Sequence, residues 1–251
     1  MGGGVIVKYD FDGKIIWKNN FGGNKSGIFD DIIEVSDGYI ACGKDALNYG
    51  MLVKFDKEGN FIWVKNYANT DTFGMTDMKI KDDKIYIASS YNTSEETDSE
   101  GNLLFKYDAC IFVYDLNGEL LDKYTLGGDK DDRFTSLLLL DEKLVAVGYT
   151  KSSDIDIKGL NYGEDMSEAM IVEFDYEGKI LDKKIYGGKK NEVINEVIIA
   201  IPDTADKINN TTSYIMVGYT NSKTSLFKGN NKDYFSKVLK YDSKLELVLE
   251  K

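Results

Sequence analysis

The chain has 251 residues, of which 42% are hydrophobic, and carries a formal net charge of −12 without a single histidine. So acidic a surface repels phosphate backbones, which argues against nucleic acid as a partner. The absence of histidine removes the commonest general base, the usual transition-metal ligand and every Ser-His or Cys-His nucleophile. No apolar run approaches the roughly 18 residues that a membrane helix needs, so membrane insertion is not expected.

A short pattern recurs from the start of the chain to its end: an alternating apolar strand that closes on Asp, two spacer residues, a Gly and a second strand. The turn glycines are Gly13, Gly59, Gly118 and Gly178, and a fifth copy after Asp242 has Leu245 instead. Each copy predicts a β-hairpin, because Gly supplies the positive φ of a tight turn and the Asp side chain caps it. Glycine spacings of 46 to 60 residues are typical of β-propeller blades.

A second hairpin precedes each later copy, for example 31–35 with 38–41, so that two hairpins make one four-stranded sheet. The sequence therefore predicts an all-β fold: a β-propeller of four-stranded antiparallel blades, with four full repeats plus one half-repeat. This gives about five blades, or part of a larger or open propeller. The prediction is a single domain, 1–251, with a half-blade at 5–21 and blades at approximately 28–68, 74–126, 133–186 and 193–250.

Ring closure is a difficulty for this prediction. The half-repeat at 5–21 lacks the first two strands of its blade, whereas the last blade already contains its own third and fourth strands. The missing strands must come from upstream sequence or from another protomer, or the ring stays open. An exposed edge at 5–21 would invite pairing with a second chain, so self-association through this edge is expected if the protein is not part of a larger propeller.

The two cysteines, Cys42 and Cys110, each lie within an apolar strand segment. A thiol in such a segment usually behaves as a small hydrophobe. We expect both to be buried and free rather than joined in a disulfide.

The loops separate onto two faces, because strand direction alternates. Short turns and the polar insert at 202–213 lie on one face. The other face, which we call the long-loop face, receives the second-to-third-strand loops at 91–108, 150–167 and 220–233. Long loops on a rigid scaffold are where binding usually occurs, so we expect the long-loop face to bind the ligand.

Aromatic residues on the long-loop face suggest a carbohydrate ligand. The rings stand among Asn, Ser and Asp side chains at Tyr49, Tyr91, Tyr162, Phe227 and Tyr234. Aromatic planes beside polar groups suit sugar rings, which have an apolar face and a fringe of hydroxyls. The competing interpretation, which we favour, is that these rings pack the loops onto their own blades.

A calcium loop is the sharpest metal candidate. Asp154, Asp156 and Asp165 stand at positions one, three and twelve of a segment with Gly at position six, as in calcium-binding loops. However, Lys158 occupies a ligand position, no helices flank the segment, and the matching loop at 224–229 has no acids. A solvated turn is therefore the favoured interpretation, and we expect no cofactor.

The segments 148–152 and 218–222, both Gly-Tyr-Thr-x-Ser, and the Tyr-Gly-Gly at 186–188 resemble the β-propeller repeats of bacterial secreted and cell-surface proteins. The resemblance covers nearly the whole chain and implies a fold rather than an activity. It also implies an extracellular or cell-surface location. The abrupt entry into a half-repeat at Val5 favours a piece of a longer chain whose export signal has been removed; a cytoplasmic protein is the alternative.

A second, weaker resemblance involves the two tryptophans. The Asp-to-Trp segments that end at Trp17 and Trp63 are similar to the tryptophan-docking repeats of pyrroloquinoline-quinone dehydrogenases. The Trp position becomes Asp122, Asp182 and Leu249 in the other copies, which argues against that enzyme class. We interpret Trp17 and Trp63 as residues that pack neighbouring blades together.

Three function classes remain open. The leading one is a non-catalytic binding or scaffold module of a secreted or cell-surface bacterial protein, which binds carbohydrate or protein through the long-loop face. The second is an intracellular or membrane-anchored interaction scaffold. The third is a carboxylate-dependent polysaccharide hydrolase, because 43 acidic residues provide many carboxylate pairs.

Overall fold

The computed structural model describes residues 4–21, 27–67, 72–94, 97, 99–101, 104–154, 166–188, 190–200, 213–222, 235–242 and 247–250. All regular secondary structure in these ranges is β-strand, which confirms the all-β class. No helix that is long and apolar enough to span a membrane occurs among the described residues.

The described strands form five antiparallel sheets. The half-sheet pairs β1 (Gly4–Tyr9) with β2 (Ile15–Phe21). Sheet 1 has the order β3 (Gly27–Val35), β4 (Gly38–Asp45), β5 (Gly50–Asp56), β6 (Phe61–Asn66). Sheet 2 has the order β7 (Thr72–Lys81), β8 (Lys84–Asn92), β9 (Tyr107–Asp115), β10 (Leu120–Leu126).

The last two sheets repeat the same order. Sheet 3 consists of β11 (Asp132–Leu139), β12 (Leu144–Thr150), β13 (Glu168–Phe174) and β14 (Ile180–Tyr186). Sheet 4 consists of β15 (Glu192–Ile199), β16 (Ser213–Thr220), β17 (Phe235–Asp242) and β18 (Leu247–Glu250). Four four-stranded sheets and one two-stranded sheet therefore stand where the repeat pattern predicts hairpins.

The core lies between successive sheets rather than within one of them. Each of four hydrophobic clusters joins two consecutive sheets, from the half-sheet with sheet 1 to sheet 3 with sheet 4. The middle strands are accordingly buried on both faces, as β13 is along its whole length, and read as continuous apolar runs. No cluster among the described residues joins sheet 4 back to the half-sheet.

The turn between the third and fourth strands has the same construction in the four repeats whose turn residues the structure describes. Asp115 accepts hydrogen bonds from the backbone amides of Asn117 and Glu119, both at 2.9 Å, and Asp10 and Asp175 make the equivalent pairs. The turn glycines have φ between +77° and +85°, in the left-handed region that other residues rarely adopt. The predicted roles of Asp and Gly are confirmed.

The turn glycines are also contact points between sheets. A Cβ at Gly59 would lie 2.6 Å from the Trp17 ring, and one at Gly118 would lie 3.0 Å from the ring of Trp63. The indole nitrogen of Trp17 donates to the carbonyl oxygen of Lys57 at 3.1 Å. Trp17 and Trp63 therefore pack one sheet onto the turn of the next, as the sequence predicts.

Both cysteines are buried and free. Burial in the apolar interior raises the pKa of the Cys42 and Cys110 thiols above the ordinary value, because the thiolate would lose its hydration. The expectation that both cysteines are buried and free is confirmed.

Candidate functional site

Five of the eight predicted site residues lie outside the described residues: Asp156, Tyr162, Asp165, Phe227 and Tyr234. The three that the structure describes stand on different sheets. Tyr49 follows a short turn in sheet 1, Tyr91 lies in β8 of sheet 2, and Asp154 follows β12 of sheet 3.

The Asp154 carboxylate is hydrogen-bonded to the backbone of the segment between β10 and β11. One of its carboxylate oxygens accepts a hydrogen bond from the backbone amide of Asp129 at 2.8 Å, and Asp129 in turn accepts one from Ser153 at 2.9 Å. This pair of hydrogen bonds connects residues 127–131, the crossover that leads from β10 to β11, to the loop after β12. Within the described ranges, no three His, Cys, Asp or Glu groups stand close enough to hold a metal ion.

Tyr91 packs inward instead of presenting a free ring. Its centroid lies 6.4 Å from that of buried Phe112, edge to face. The ammonium of Lys123 lies 3.6 Å from the Tyr91 centroid, as a cation–π contact. The backbone amide of Tyr49 donates to the Asp45 carboxylate at 3.0 Å, and its side chain is half-buried.

The Gly-Tyr-Thr-x-Ser segment of sheet 3 serves a buried carboxylate, Asp132, at the start of β11. Asp132 accepts hydrogen bonds from the hydroxyls of Thr150 and Ser152 and, at 3.1 Å, from the backbone amide of Gly128. Burial outweighs these bonds and raises the pKa of Asp132 to about 6. The Asp132 carboxylate thereby connects Gly128, in the crossover before β11, to the end of β12.

Glu192 repeats this arrangement at the start of β15. It accepts hydrogen bonds from the Thr220 hydroxyl and the Gly188 amide, both at 3.0 Å, and burial raises its pKa to about 7. The Gly-Tyr-Thr-x-Ser segments are visible in the sequence, but the acid that each of them binds lies 18 to 28 residues away and was not predicted. The available signal was an acid four residues after the second glycine of the Gly127-Gly128 and Gly187-Gly188 pairs; the Gly22-Gly23 pair has Gly27 at that position.

An open groove of about 340 Å³ lies between the half-sheet and sheet 1. It is bounded by β1, by the end of β3, and by the rings of Trp17 and Tyr39. The Lys8 ammonium donates to the Tyr39 hydroxyl at 2.8 Å across one end. We call this groove, together with the adjoining free side of β1, the edge groove.

The edge groove exists because sheet 1 lacks the cover that the later sheets have. At the other junctions the first and second strands of one sheet pack on the first strand of the next: β3 and β4 on β7, β7 and β8 on β11, β11 and β12 on β15. In the half-sheet, β1, its third-strand equivalent, packs on β3, and Phe21 of β2 lies against Phe29 of β3. Two strands that cover every other junction are thus absent from the described residues at this one.

The exposure of one repeated position measures the effect. Ile32, in β3, is 45% exposed. Its counterparts, each the second residue after the β-bulge of a first strand, are Met78 at 1%, Leu137 at 0% and Val197 at 1%. The same apolar position is therefore core at three junctions and surface at the first.

The side of β1 that faces away from β2 is also uncovered. Every other third strand is hydrogen-bonded to neighbours on both sides, whereas β1 pairs only with β2 among the described strands. Its backbone amide and carbonyl groups on the other side form an open sheet edge. Val7 and Lys8 of β1 line the groove beside Ile32 of β3.

The opposite end of the row is open too. Val217 and Val238, a cross-strand pair in sheet 4, are 40% and 47% exposed. The equivalent pair in sheet 3, Val147 and Ile171, is fully buried against sheet 4. The described sheets therefore form an all-β row of propeller-like blades with two uncovered ends.

Comparison with known proteins adds a fold likeness only. No family model matches the chain, and no curated protein is significantly similar to it. Similar solved structures include three variants of Synechocystis apocarotenoid oxygenase, with TM-scores of 0.45 to 0.47 and 11 to 12% identity. The matches cover 98 to 100% of this chain and 55 to 56% of those chains, so it spans little more than half their length.

At that identity and score, the likeness carries no argument about activity, ligand or cofactor. The resemblance to bacterial secreted and surface repeats likewise stays a prediction.

Proposed function

We propose that this protein is a non-catalytic binding module that recognises another polypeptide through the edge groove. The observation that carries the proposal is the exposure of Ile32, whose counterparts at the three other junctions are buried. A free strand edge beside an apolar surface suits strand addition, in which main-chain hydrogen bonds give affinity and side-chain contacts give specificity. Of the carbohydrate and protein ligands that the sequence allows, the proposal selects protein.

Magnitudes favour a strand-forming ligand over a small apolar one. Ile32, an apolar residue that lines the groove, is 45% exposed, and covering it contributes about 1 kcal/mol. Association costs at least about 4 kcal/mol in lost translational and rotational freedom. The apolar surface alone does not offset that cost, so the hydrogen bonds of the β1 edge have to contribute.

The edge groove takes the place of the long-loop face in this proposal. Of the described candidates there, Asp154 is bound by the amide of Asp129, and Tyr91 is covered by Lys123. The buried acids Asp132 and Glu192, the candidate carboxylates for a hydrolase, accept hydrogen bonds from hydroxyls at the ends of β12 and β16 and from the amides of Gly128 and Gly188. A structural role accounts for both.

The proposal includes two finer statements about the chain. The five sheets are blades of a β-propeller, and a hairpin bound at the β1 edge completes the half-sheet as a blade. The module acts outside the cell, as the resemblance to surface repeats implies. Protease treatment of intact cells, followed by detection of the protein, tests the location separately.

A synthetic peptide tests the binding. Residues 72–92 contain β7 and β8, the strands that cover the equivalent surface of sheet 3. We expect this peptide to bind the protein saturably, measured by fluorescence anisotropy of a labelled copy. Hydrogen exchange of the β1 and β3 amides should slow on binding.

Two matched variants locate the binding surface. Ile32→Arg places a charge in the edge groove, and Ile62→Arg places one on β6 at nearly the same exposure, 46% against 45%. The proposal predicts lost binding in the first variant and unchanged binding in the second. Equal binding by both variants, or no binding by the unaltered protein, would overturn it. Light scattering of the protein without peptide shows separately whether a second copy occupies the groove.

A further inference from the structure

A repeated polar contact runs along the first strands of the four-stranded sheets. Each of these strands has a β-bulge near its middle, and the residue after the bulged position has a polar side chain. These residues are Asp31, Asp77, Ser136 and Glu196. A bulge re-aims side chains and is rarely repeated without a role, so the four positions form one set.

The side chains of the first three set members reach forward to the backbone of the next sheet, whereas Glu196 of the last sheet contacts Ser136 of the sheet before it. The Asp31 carboxylate accepts a hydrogen bond from the amide of Met78 at 2.8 Å. The Asp77 carboxylate accepts one from the amide of Leu137 at 2.6 Å. We call this contact the latch. In it, a side-chain oxygen of the first residue after one bulge accepts a hydrogen bond from a backbone amide in the next sheet, namely that of the second residue after the bulge there.

The third junction uses a hydroxyl instead of a carboxylate. Ser136 Oγ accepts the amide of Val197 at the longer distance of 3.4 Å. The same oxygen lies 2.8 Å from the Asp77 carboxylate and 2.9 Å from Glu196. The two acidic latches are therefore the shorter ones, as expected for charge-assisted hydrogen bonds.

At the edge groove, no described first strand precedes sheet 1, so no side chain from a preceding sheet accepts the corresponding amide. The amide of Ile32 is the counterpart of the latch amides of Met78 and Leu137. It donates to the carboxylate of its own neighbour, Asp31, at 2.7 Å. Sheet 1 thus presents the same bulge, apolar residue and amide as the other junctions, without a preceding first strand among the described residues.

We propose that the edge groove takes a β-hairpin of another polypeptide whose inner strand carries an Asp or Glu that accepts the Ile32 amide. This inference rests on the proposed function and specifies the partner. The expected motif is an apolar residue, any residue, an acid and an apolar residue. The chain itself shows it at 29–32, 75–78 and 194–197. The occupant is inferred from the three other junctions, where the first and second strands of one sheet, a β-hairpin, fill the equivalent position.

Hairpin fusions test the latch apart from the groove. Residues 72–92 are joined through a flexible Gly/Ser linker to Gly4 of the full chain, which gives the hairpin a high effective concentration at the groove. In a second fusion, only the added copy carries Asp77→Ala. The readouts are the exchange rate of the Ile32 amide by NMR and the exchange of the β1 amides, which reports closure of the sheet edge.

We expect the first fusion to protect both the β1 amides and the Ile32 amide. In the Asp77→Ala fusion, protection of the Ile32 amide should fall by about 10- to 100-fold, the value of a hydrogen bond to a charged group. Equal protection of Ile32 in both fusions would overturn the latch and leave the proposed function standing. Unchanged exchange of β1 in both fusions would overturn the two proposals together.

Discussion

The carboxylate of Asp77 accepts a hydrogen bond from the backbone amide of Leu137 at 2.6 Å, across the boundary between sheet 2 and sheet 3. It also lies 2.8 Å from the hydroxyl of Ser136. A single buried side chain thereby fixes the position of one sheet against the next. Leu137, which donates the amide, also belongs to the hydrophobic cluster between these two sheets.

Removal of this contact should destabilise the protein strongly. Asp77→Ala leaves a buried amide without its acceptor, and we expect a loss of about 2 to 4 kcal/mol in the free energy of unfolding. Asp12→Ala, at an exposed turn position, is the control and should stay within about 0.5 kcal/mol of the unaltered protein. Urea unfolding measures both, and a similar small loss in each would show that the latch does not hold the sheets.

Two glycines with the same backbone conformation should respond differently to alanine. Gly13 and Gly59 have φ of +81° and +78°, but only the Cβ at Gly59 would meet the Trp17 ring, at 2.6 Å. We expect Gly13→Ala to cost about 1 to 2 kcal/mol and Gly59→Ala about 2 to 4 kcal/mol. Thermal unfolding measures the difference. Equal costs would mean that Trp17 does not pack on this turn.

Glu192 should make stability depend on pH. Burial raises its pKa from 4.5 to about 7, so the folded state holds the proton more tightly than the unfolded chain. This stabilisation is complete below about pH 4.5 and is lost as the pH rises through about 7. Between pH 5 and pH 8, we expect Glu192 to account for a decrease of roughly 1 to 3 kcal/mol in unfolding free energy.

Glu192→Gln isolates that contribution, because the amide is neutral at every pH tested. The decrease between pH 5 and pH 8 should be smaller in this variant than in the unaltered protein. Glu34→Gln, on exposed β3 surface, is the control and should leave the slope as it was. If the two variants show the same slope, Glu192 is not the titrating group.

The cysteines should report unfolding. Cys42 and Cys110 are fully buried, and burial raises their thiol pKa values, so neither should react with a thiol reagent in the native protein. Both should react once the chain is unfolded in urea. Rapid reaction of either thiol without denaturant would contradict the packing between sheets 1 and 2.

The hairpins and turns were predictable from the sequence because they depend on local chemistry. The Asp and Gly of each turn and the alternation of the flanking strands lie within a few residues of one another. The packing role of Trp17 was also predictable, because its position recurs in Trp63. These features give the order of strands along the chain.

The latch was not predictable in the same way. Its members differ in residue type, since Ser136 stands where the other sheets have an acid, and a bulge interrupts the alternation at each one. Its partners lie 47 to 61 residues away. The covering of Tyr91 by Lys123 was hidden for a similar reason, because the two residues belong to different strands of sheet 2.

Cysteine accessibility tests the central claim, that the edge groove is an open hairpin-binding surface. Ile32→Cys and Met78→Cys place a thiol at equivalent positions that are 45% and 1% exposed. The account predicts fast maleimide labelling of the first variant, slow labelling of the second, and slower labelling of the first when the 72–92 peptide is added. Equally slow labelling of both variants, or labelling of Ile32→Cys that the peptide leaves unchanged, would contradict it.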